Sequence, residues 1–267
     1  RGEALPSIAS IARVEMITRK RDRVSGTRIV VSAGRIEEIS DAGSPGGTTI
    51  TVSRIFDPVP VRRKFLKSEA TEQGSCVDVI TRTALSCPSV RIQVMAGGRE
   101  ILKIPSTADA SERIALILGV DFTDHLAPVE ATEGGVRISG FLSGPDYTRS
   151  NSRNIYCYVN RRYIRDYLLN HAIMTAYRNV IAAKRYPAAV LSLTLPPEEV
   201  DVNVHPAKME VRFRRPREIY RFVVESAGRT LSGAALSAGK PTAFAPPVIA
   251  AQLSGYRERV EEALKRY

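Results

Sequence analysis

Cysteine is scarce in this chain, long apolar runs are missing, and the signatures of metal-held folds are absent. Only Cys76, Cys87 and Cys157 occur in 267 residues. They are odd in number, widely spaced and set among apolar residues. That suits thiols in a reducing compartment and argues against a disulfide framework. Cys76 falls within a predicted helix and Cys87 just past its end, and both read as packing residues. No Cys/His spacing for zinc is present. No stretch of about twenty apolar residues occurs, which excludes a membrane-spanning helix of the usual kind. No secretory-signal pattern is visible. Histidine is also rare, with three copies. His205 stands directly before Pro206 and His171 follows Asn170 on a predicted helix, so both read as structural. No nucleophile triad is found.

Positive charge, by contrast, is plentiful. Lysine and arginine number 39 against 28 acidic residues, a formal charge of +11 with a pI near 9.8. A basic surface points to a polyanion, although excess charge can also serve solubility alone. The clustering favours phosphate. Arg161, Arg162 and Arg165 fall together with Asp166 as their only acidic neighbour. Arg178, Lys184 and Arg185 follow, and Arg212, Arg214, Arg215 and Arg217 form another group. Guanidinium forks match phosphate oxygens, and Tyr156, Tyr158 and Tyr163 interleave. Without a zinc-finger or helix-turn-helix signature, the expected contact is with the nucleic-acid backbone and not the bases. Such binding weakens steeply with salt.

The length suits two domains, and 43% hydrophobic residues suffice for packed cores. Periodicity predicts a helix over 1–13, then strands at 14–20, 28–32 and 48–56 with a turn at 43–47. A helix is predicted over 69–86 and a hairpin over 89–95 and 100–104 through Ala96-Gly97-Gly98. The pattern breaks near 105–112. A helix at 111–119 with a glycine stop follows, then strands at 136–142 and 155–159 and a helix at 165–183. A strand at 188–195, an extended pair within 200–213 and a helix at 216–230 led by Pro216 complete the order. Mixed strands and helices in this order suit an α+β architecture. Residues 232–250 are rich in Ala, Gly, Ser and Pro and read as a linker. Residues 251–267 could form a short charged helix.

Two segments carry chemistry. Arg1-Gly2-Glu3-Ala4-Leu5-Pro6 opens a helix after a glycine, and an anion is favoured at such a helix start. On these residues alone an ordinary amphipathic helix is the simpler reading. Far downstream, Val200, Val202 and Val204 alternate with polar residues, Pro206 ends the strand, and Lys208 sits beside a loop. A lysine there can place a point charge on a phosphate, though most lysines are simply solvated.

Together these segments resemble the MutL family of DNA mismatch-repair proteins, within the GHKL ATPases. Arg1-Gly2-Glu3-Ala4-Leu5 is similar to the end of the family's phosphate motif. Asp201-Val202-Asn203-Val204-His205-Pro206-Ala207-Lys208 reads like another family motif without a mismatch. Gly47-Thr48-Thr49-Ile50-Thr51-Val52, Pro60-Val61-Arg62-Arg63-Lys64-Phe65-Leu66-Lys67 and Tyr156-Cys157-Tyr158-Val159-Asn160-Arg161-Arg162 resemble further ones. The likeness covers about residues 1–230. One departure is local: Asp57-Pro58-Val59-Pro60 stands where the family has Asn-Thr-Pro, which puts the shape of that turn in question.

The resemblance implies a partial GHKL (Bergerat-type) α/β sandwich over 1–108 and a ribosomal-protein-type βαβ domain with a left-handed crossover over 109–231. A linker and tail over 232–267 would follow. It implies ATP and Mg²⁺ as cofactors. Arg1, Gly2, Glu3, Ala4 and Leu5 would cradle the phosphates, Thr48 would hold the base region, and Lys208 would reach the terminal phosphate as the catalytic assignment. The family's catalytic glutamate, magnesium-binding asparagine and Asp-Asn-Gly loop stand upstream of its phosphate motif and are not in this sequence. The chain alone is therefore expected to be inactive, and its first domain to be left exposed. Implied partners are the backbone of double- or single-stranded DNA, a MutS-type mismatch recognition protein and, in the complete protein, a second copy. The implied location is cytoplasmic and nucleoid-associated. Two alternatives stay open: a DNA-binding module without nucleotide activity, carried by Arg161, Arg162 and Arg165, and another GHKL member such as a gyrase-type topoisomerase or a chaperone.

Overall fold

The computed structural model describes residues 3–202 and 209–236. The chain forms two compact units, Arg1–Glu72 and Gln73–Tyr267.

The first unit holds α1 (Ala4–Ala9), β1 (Arg13–Arg19), β2 (Gly26–Ser32), β3 (Arg35–Ala42), β4 (Gly47–Ser53) and α2 (Pro60–Arg63). Its strands make one antiparallel sheet in the order β3-β2-β1-β4. The helix expected over 1–13 is thus only six residues long. It stops because its last carbonyls have partners elsewhere: the Gly34 amide donates to Ala9 at 2.9 Å and that of Phe56 to Ile11 at 2.7 Å. Strand β4 ends at Ser53 because Arg54 and Phe56 adopt positive φ, 52° and 64°.

Strand register sorts this sheet into two faces. Val14 lies opposite Val31 and Val52, and Met16 opposite Ile29 and Ile50. Strand β3 is absent from the sequence-based reading, because Glu37-Glu38 interrupts its alternation. A register shift opposite Val30/Val31 absorbs the extra residue, so Ile36 and Ile39 both reach the apolar face. That face is open, with Ile36 at 64% and Ile39 at 63% exposure. On the other face, Arg28 bridges Glu15 and Glu38 at 2.6 Å each.

Helix α3 (Glu69–Ser86) starts at the end of the first unit and runs into the second. The hairpin β5 (Ile92–Ala96) and β6 (Arg99–Ile104) follows. Its two-residue turn, Gly97-Gly98, takes positive φ at both positions, 54° and 74°, as a primed turn requires. Next come α4 (Ala110–Leu118), α5 (Val120–Thr123), β7 (Leu126–Glu133), β8 (Val136–Ser143), β9 (Thr148–Arg149), β10 (Ile155–Val159), β11 (Arg162–Ile164) and α6 (Tyr167–Ala176). The described part ends with β12 (Tyr186–Pro187), β13 (Ala189–Thr194), β14 (Val200–Asp201), β15 (Arg212–Phe213) and α7 (Pro216–Leu236).

Five strands form the central sheet, in the order β11-β10-β13-β8-β7. Strands β10 and β13 are parallel, with α6 in the crossover between them; the other pairs are antiparallel. Both faces are covered. Ile155, Cys157 and Val159 join a core with Leu169, Ile173, Phe222 and Val223 from α6 and α7. Tyr156 and Tyr158 join a second core with Ala84, Leu102, Ile114 and Ile117. Gly140 permits a close approach between β8 and β13: a Cβ there would lie 2.0 Å from the Val190 carbonyl oxygen.

The domain boundary expected at 108 does not coincide with the division at Glu72/Gln73. The reason is Arg113, which is wholly buried. Its guanidinium donates to the carbonyls of Ala84, Pro105, Cys87 and Val90 at 2.6–3.1 Å. The break at 105–112 is therefore a knot that ties α3, the β5-β6 hairpin and α4 to one another.

Other expectations shift at their edges. Strands β7 and β11 were not expected: β7 is an edge strand carrying Pro128, and β11 has three residues. Helix α6 ends at Ala176 instead of 183, because Tyr177 is buried and donates its hydroxyl to the Ser143 carbonyl at 2.6 Å. The pair expected over 200–213 is described only as β14 and β15. Helix α7 runs to Leu236, into the start of the expected linker.

Candidate functional site

Helix α1 starts with Glu3 at its N-cap position. The Glu3 side chain makes no capping bond, while its carbonyl accepts from the Ser7 amide at 3.1 Å and the Ser7 hydroxyl at 2.7 Å. The amides of Ala4 and Leu5 have no intrahelical partner at this position, and both residues are exposed. Pro6 has no amide to satisfy. This end of the helix offers donors that suit an anion. Arg1 and Gly2 lie outside the described residues.

Thr48 sits on β4 opposite Thr18 of β1, and their hydroxyl oxygens are 2.8 Å apart. The Thr18 hydroxyl also reaches the Gly47 carbonyl at 3.4 Å. By strand alternation Thr48 shares the open apolar face with Ile50 and Val52. An apolar surface ending in a hydroxyl pair has the right character for a planar base with a polar edge. Thr18 went unrecognised in the sequence, since only the strand register makes it Thr48's partner. Thr18 lies five residues along β1 from Arg13, the end joined to α1, roughly 16 Å away at about 3.3 Å per residue.

The turn at Asp57 takes a definite form despite its unusual sequence. Asp57 pairs with Arg63 at 2.8 Å, and Pro60 opens α2. Phe65 is 78% exposed. Lys208 lies outside the described residues. Met209, which follows it, accepts a hydrogen bond from the Arg165 amide at 2.6 Å.

The basic segment is built on the β10-β11 hairpin. Asn160 and Arg161 form its two-residue turn at φ 47° and 67°. Asn160 holds the turn against the end of β13. Its amide donates to Leu193 at 2.8 Å, and its side chain exchanges two 3.0 Å bonds with Leu195. Arg161 lines a groove of about 420 Å³ floored by Phe141, Val190 and Ile114. Arg162 has the strand parity of Ile164, whose side chain enters the core under α6 and α7. The two neighbouring arginines thus serve opposite faces of the sheet. Arg165 lies beside Tyr163; burial pushes the Tyr163 hydroxyl up, and the charges of Arg82 and Arg165 oppose that shift.

The arginine clusters are not equally available. Arg215 is held by Glu199 at 3.0 Å and Glu218 at 2.9 Å, and Arg221 by Glu133 and Glu225. Arg185 donates twice to Thr148 at 2.9 Å. Arg161, Arg162 and Arg165 are exposed and make no ion pair among the described residues. Those residues contain no group of three or more His, Cys, Asp or Glu able to hold a metal ion, and no helix long and apolar enough to cross a membrane.

A family model described as "DNA mismatch repair protein, C-terminal domain" matches residues 114–232. The DNA mismatch repair protein MutL of Syntrophus aciditrophicus (strain SB) is 54% identical over 271 residues, covering 100% of this chain and 44% of the relative. The chain thus spans less than half the length of that curated relative. Among solved structures, the Aquifex aeolicus MutL ATPase domain complexed with ADP matches at a TM-score of 0.62 and 27% identity, over 85% of this chain and 77% of its own. The N-terminal domain of a DNA repair protein matches at 0.77 and 22% identity, over 90% and 77%, which speaks for the fold alone. The mixed α/β architecture is that of GHKL-type ATPase-domain structures.

Proposed function

The chain belongs to the MutL family of DNA mismatch repair proteins, and from that membership we propose that it is the part of a mismatch-repair ATPase that carries a nucleotide signal to DNA. The observation that carries this reading is the Thr18–Thr48 hydroxyl pair at the edge of an open apolar sheet face. The base would lie against that face and meet the hydroxyls. The first-turn amides of α1, with Arg1 and Gly2 before them, would meet the phosphates. Bound with its magnesium ion, ATP would supply the cleavable bond. This chain's residues would bind and orient it, and Lys208 would place a positive charge on the terminal phosphate.

Coupling to DNA runs through Arg165. Its amide is bonded to Met209, the residue that follows Lys208, and that bond would link Lys208 to the basic hairpin. Arg161, Arg162 and Arg165 would contact the DNA backbone without reading bases. A MutS-type partner and a second copy would bind the complete protein.

Titration of this chain with an ATP analogue and with DNA tests the reading. Thr48→Val removes one hydrogen bond and is expected to weaken nucleotide binding about fivefold; unchanged affinity would remove Thr48 from the site. Replacing Arg161, Arg162 and Arg165 by Ala should shrink the slope of log affinity against log salt by about 0.9 for each phosphate no longer neutralised. An unaltered slope would place the DNA surface elsewhere. Magnesium-dependent hydrolysis above a Lys208→Ala control would overturn the expectation that this chain alone binds without turnover.

A further inference from the structure

We propose that the groove between the central sheet and the ends of α3 and α4 binds a short extended peptide: an apolar stretch followed by an acidic residue, whose carboxylate Arg161 holds. This goes beyond the nucleotide and DNA readings and shares only Arg161 with the second.

Strand register builds the groove from two rows of residues that cross the sheet. Tyr156, Val190, Phe141 and Pro128 are partners in turn on β10, β13, β8 and β7. Two residues along each strand, and so on the same face, Tyr158, Ser192, Ser139 and Glu130 are partners in the same way. The first row is apolar throughout. The second turns polar as it leaves Tyr158. Tyr156, Tyr158 and Val190 lie in the core under α3 and α4. The ends of those helices, through Ser86 and Ala110, line the groove as well, and its volume of about 420 Å³ is in the range of ligand clefts.

The lining selects a peptide. Phe141, Val190 and Ile114 give it an apolar floor. Ser139 and Ser192 are half-buried, and their hydroxyls make no hydrogen bond among the described residues. Val129 also lines the groove, although its side chain belongs to the core on the other face, and Gly140 has no side chain to present. The groove therefore meets the main chain of β7 and β8. Strand β7 is an edge strand with β8 as its one partner in the sheet. An extended peptide can hydrogen-bond to such backbone while its side chains enter the apolar floor.

Charge fixes what ends the peptide. Glu130, at the β7 end, is paired with Arg137 at 2.5 Å. Arg161, at the β10 end, is exposed and has no ion pair among the described residues. Its turn is anchored through Asn160 to Leu193 and Leu195. A nucleic-acid backbone laid here would meet a carboxylate and an apolar floor. A peptide would meet the floor, the two hydroxyls and then a guanidinium that matches one carboxylate. From β7 to β10 is three strand spacings, about 14 Å, the length of about four extended residues. Arg162 takes no part, because its strand parity turns it toward the opposite core.

Selection of a displayed random hexapeptide library on the full chain tests this. Enriched sequences should carry apolar residues followed by Asp or Glu. An enriched peptide and its Asn or Gln counterpart, both fluorescently labelled, are then compared by anisotropy. Loss of the carboxylate should weaken binding at least about tenfold in the parent chain. It should change nothing in Arg161→Gly, a substitution that suits the positive φ of that turn position. Ser139→Phe, which fills the groove, should abolish peptide binding, and Arg162→Ala should leave it unchanged. No enrichment, or equal loss on removing the carboxylate in the parent and in Arg161→Gly, would overturn the peptide site. If no peptide is enriched and Ser139→Phe weakens DNA binding, the groove belongs to nucleic acid and the proposal falls.

Discussion

Strands β4 and β10 are both rich in β-branched or aromatic residues, yet they end in opposite environments. Every residue of β4, Gly47–Ser53, is exposed, while every residue of β10, Ile155–Val159, is buried. The difference lies in what covers them. Strand β10 is flanked in its sheet by β11 and β13 and sandwiched between the α6/α7 core and the α3/α4 core. Strand β4 is an edge strand with β1 as its one partner. A strand's own residues set its pleat and its two faces, but burial is decided by elements far away in sequence. An open face leaves the first unit a sheet surface within reach of a ligand, whereas the covered sheet of the second unit leaves only edges, turns and helix surfaces exposed.

The largest effect is expected at Arg113. Arg113→Met leaves one buried and three partly buried carbonyls without their donor, and should cost about 3–5 kcal/mol in urea unfolding of the second unit. A loss below about 1 kcal/mol would mean that the α3–hairpin–α4 knot is held by apolar packing alone. Next, Leu191→Ala should cost about 2–5 kcal/mol, because its side chain is enclosed in the core. Ile39→Ala on the open sheet face should cost under about 0.5 kcal/mol. Similar costs at the two sites would show that the first unit's face is covered in solution.

The smallest effect concerns thiol chemistry. Burial pushes the Cys157 thiol up to about 12, so near neutral pH it stays protonated and unreactive. Cys76 is exposed. A chromogenic disulfide reagent should therefore label Cys76 in the folded chain and Cys157 only after denaturation. Modification of Cys157 at the rate of Cys76 would contradict the closed packing around β10.

Much of the fold was legible wherever a local rule operates. Asp109 caps α4, accepting from the Ser111 amide at 2.8 Å, and Gly119 ends that helix at φ 97°. The Gly97-Gly98 turn follows an equally local steric rule, whereas the helix opened by Pro60 was not read from the sequence. Strand β3 was missed because its alternation is restored only by a bulge against β2. Strand β11 was missed because three residues carry no periodicity. For the candidate site, the residue types were legible and their grouping was not. Arg161 and Arg162 read as one patch in sequence, but a two-residue turn and the pleat send them to opposite faces. The Thr18–Thr48 pairing exists only through strand register.

By itself, then, the sequence determined the order of most elements, the excess of positive charge and the motifs that mark its family, since each is written in neighbouring residues. Tertiary structure alone decided which sheet face stays open, that residues 105–112 bind elements together instead of separating them, and which arginines remain available to a phosphate. These outcomes depend on register, burial and ion pairing between residues distant along the chain.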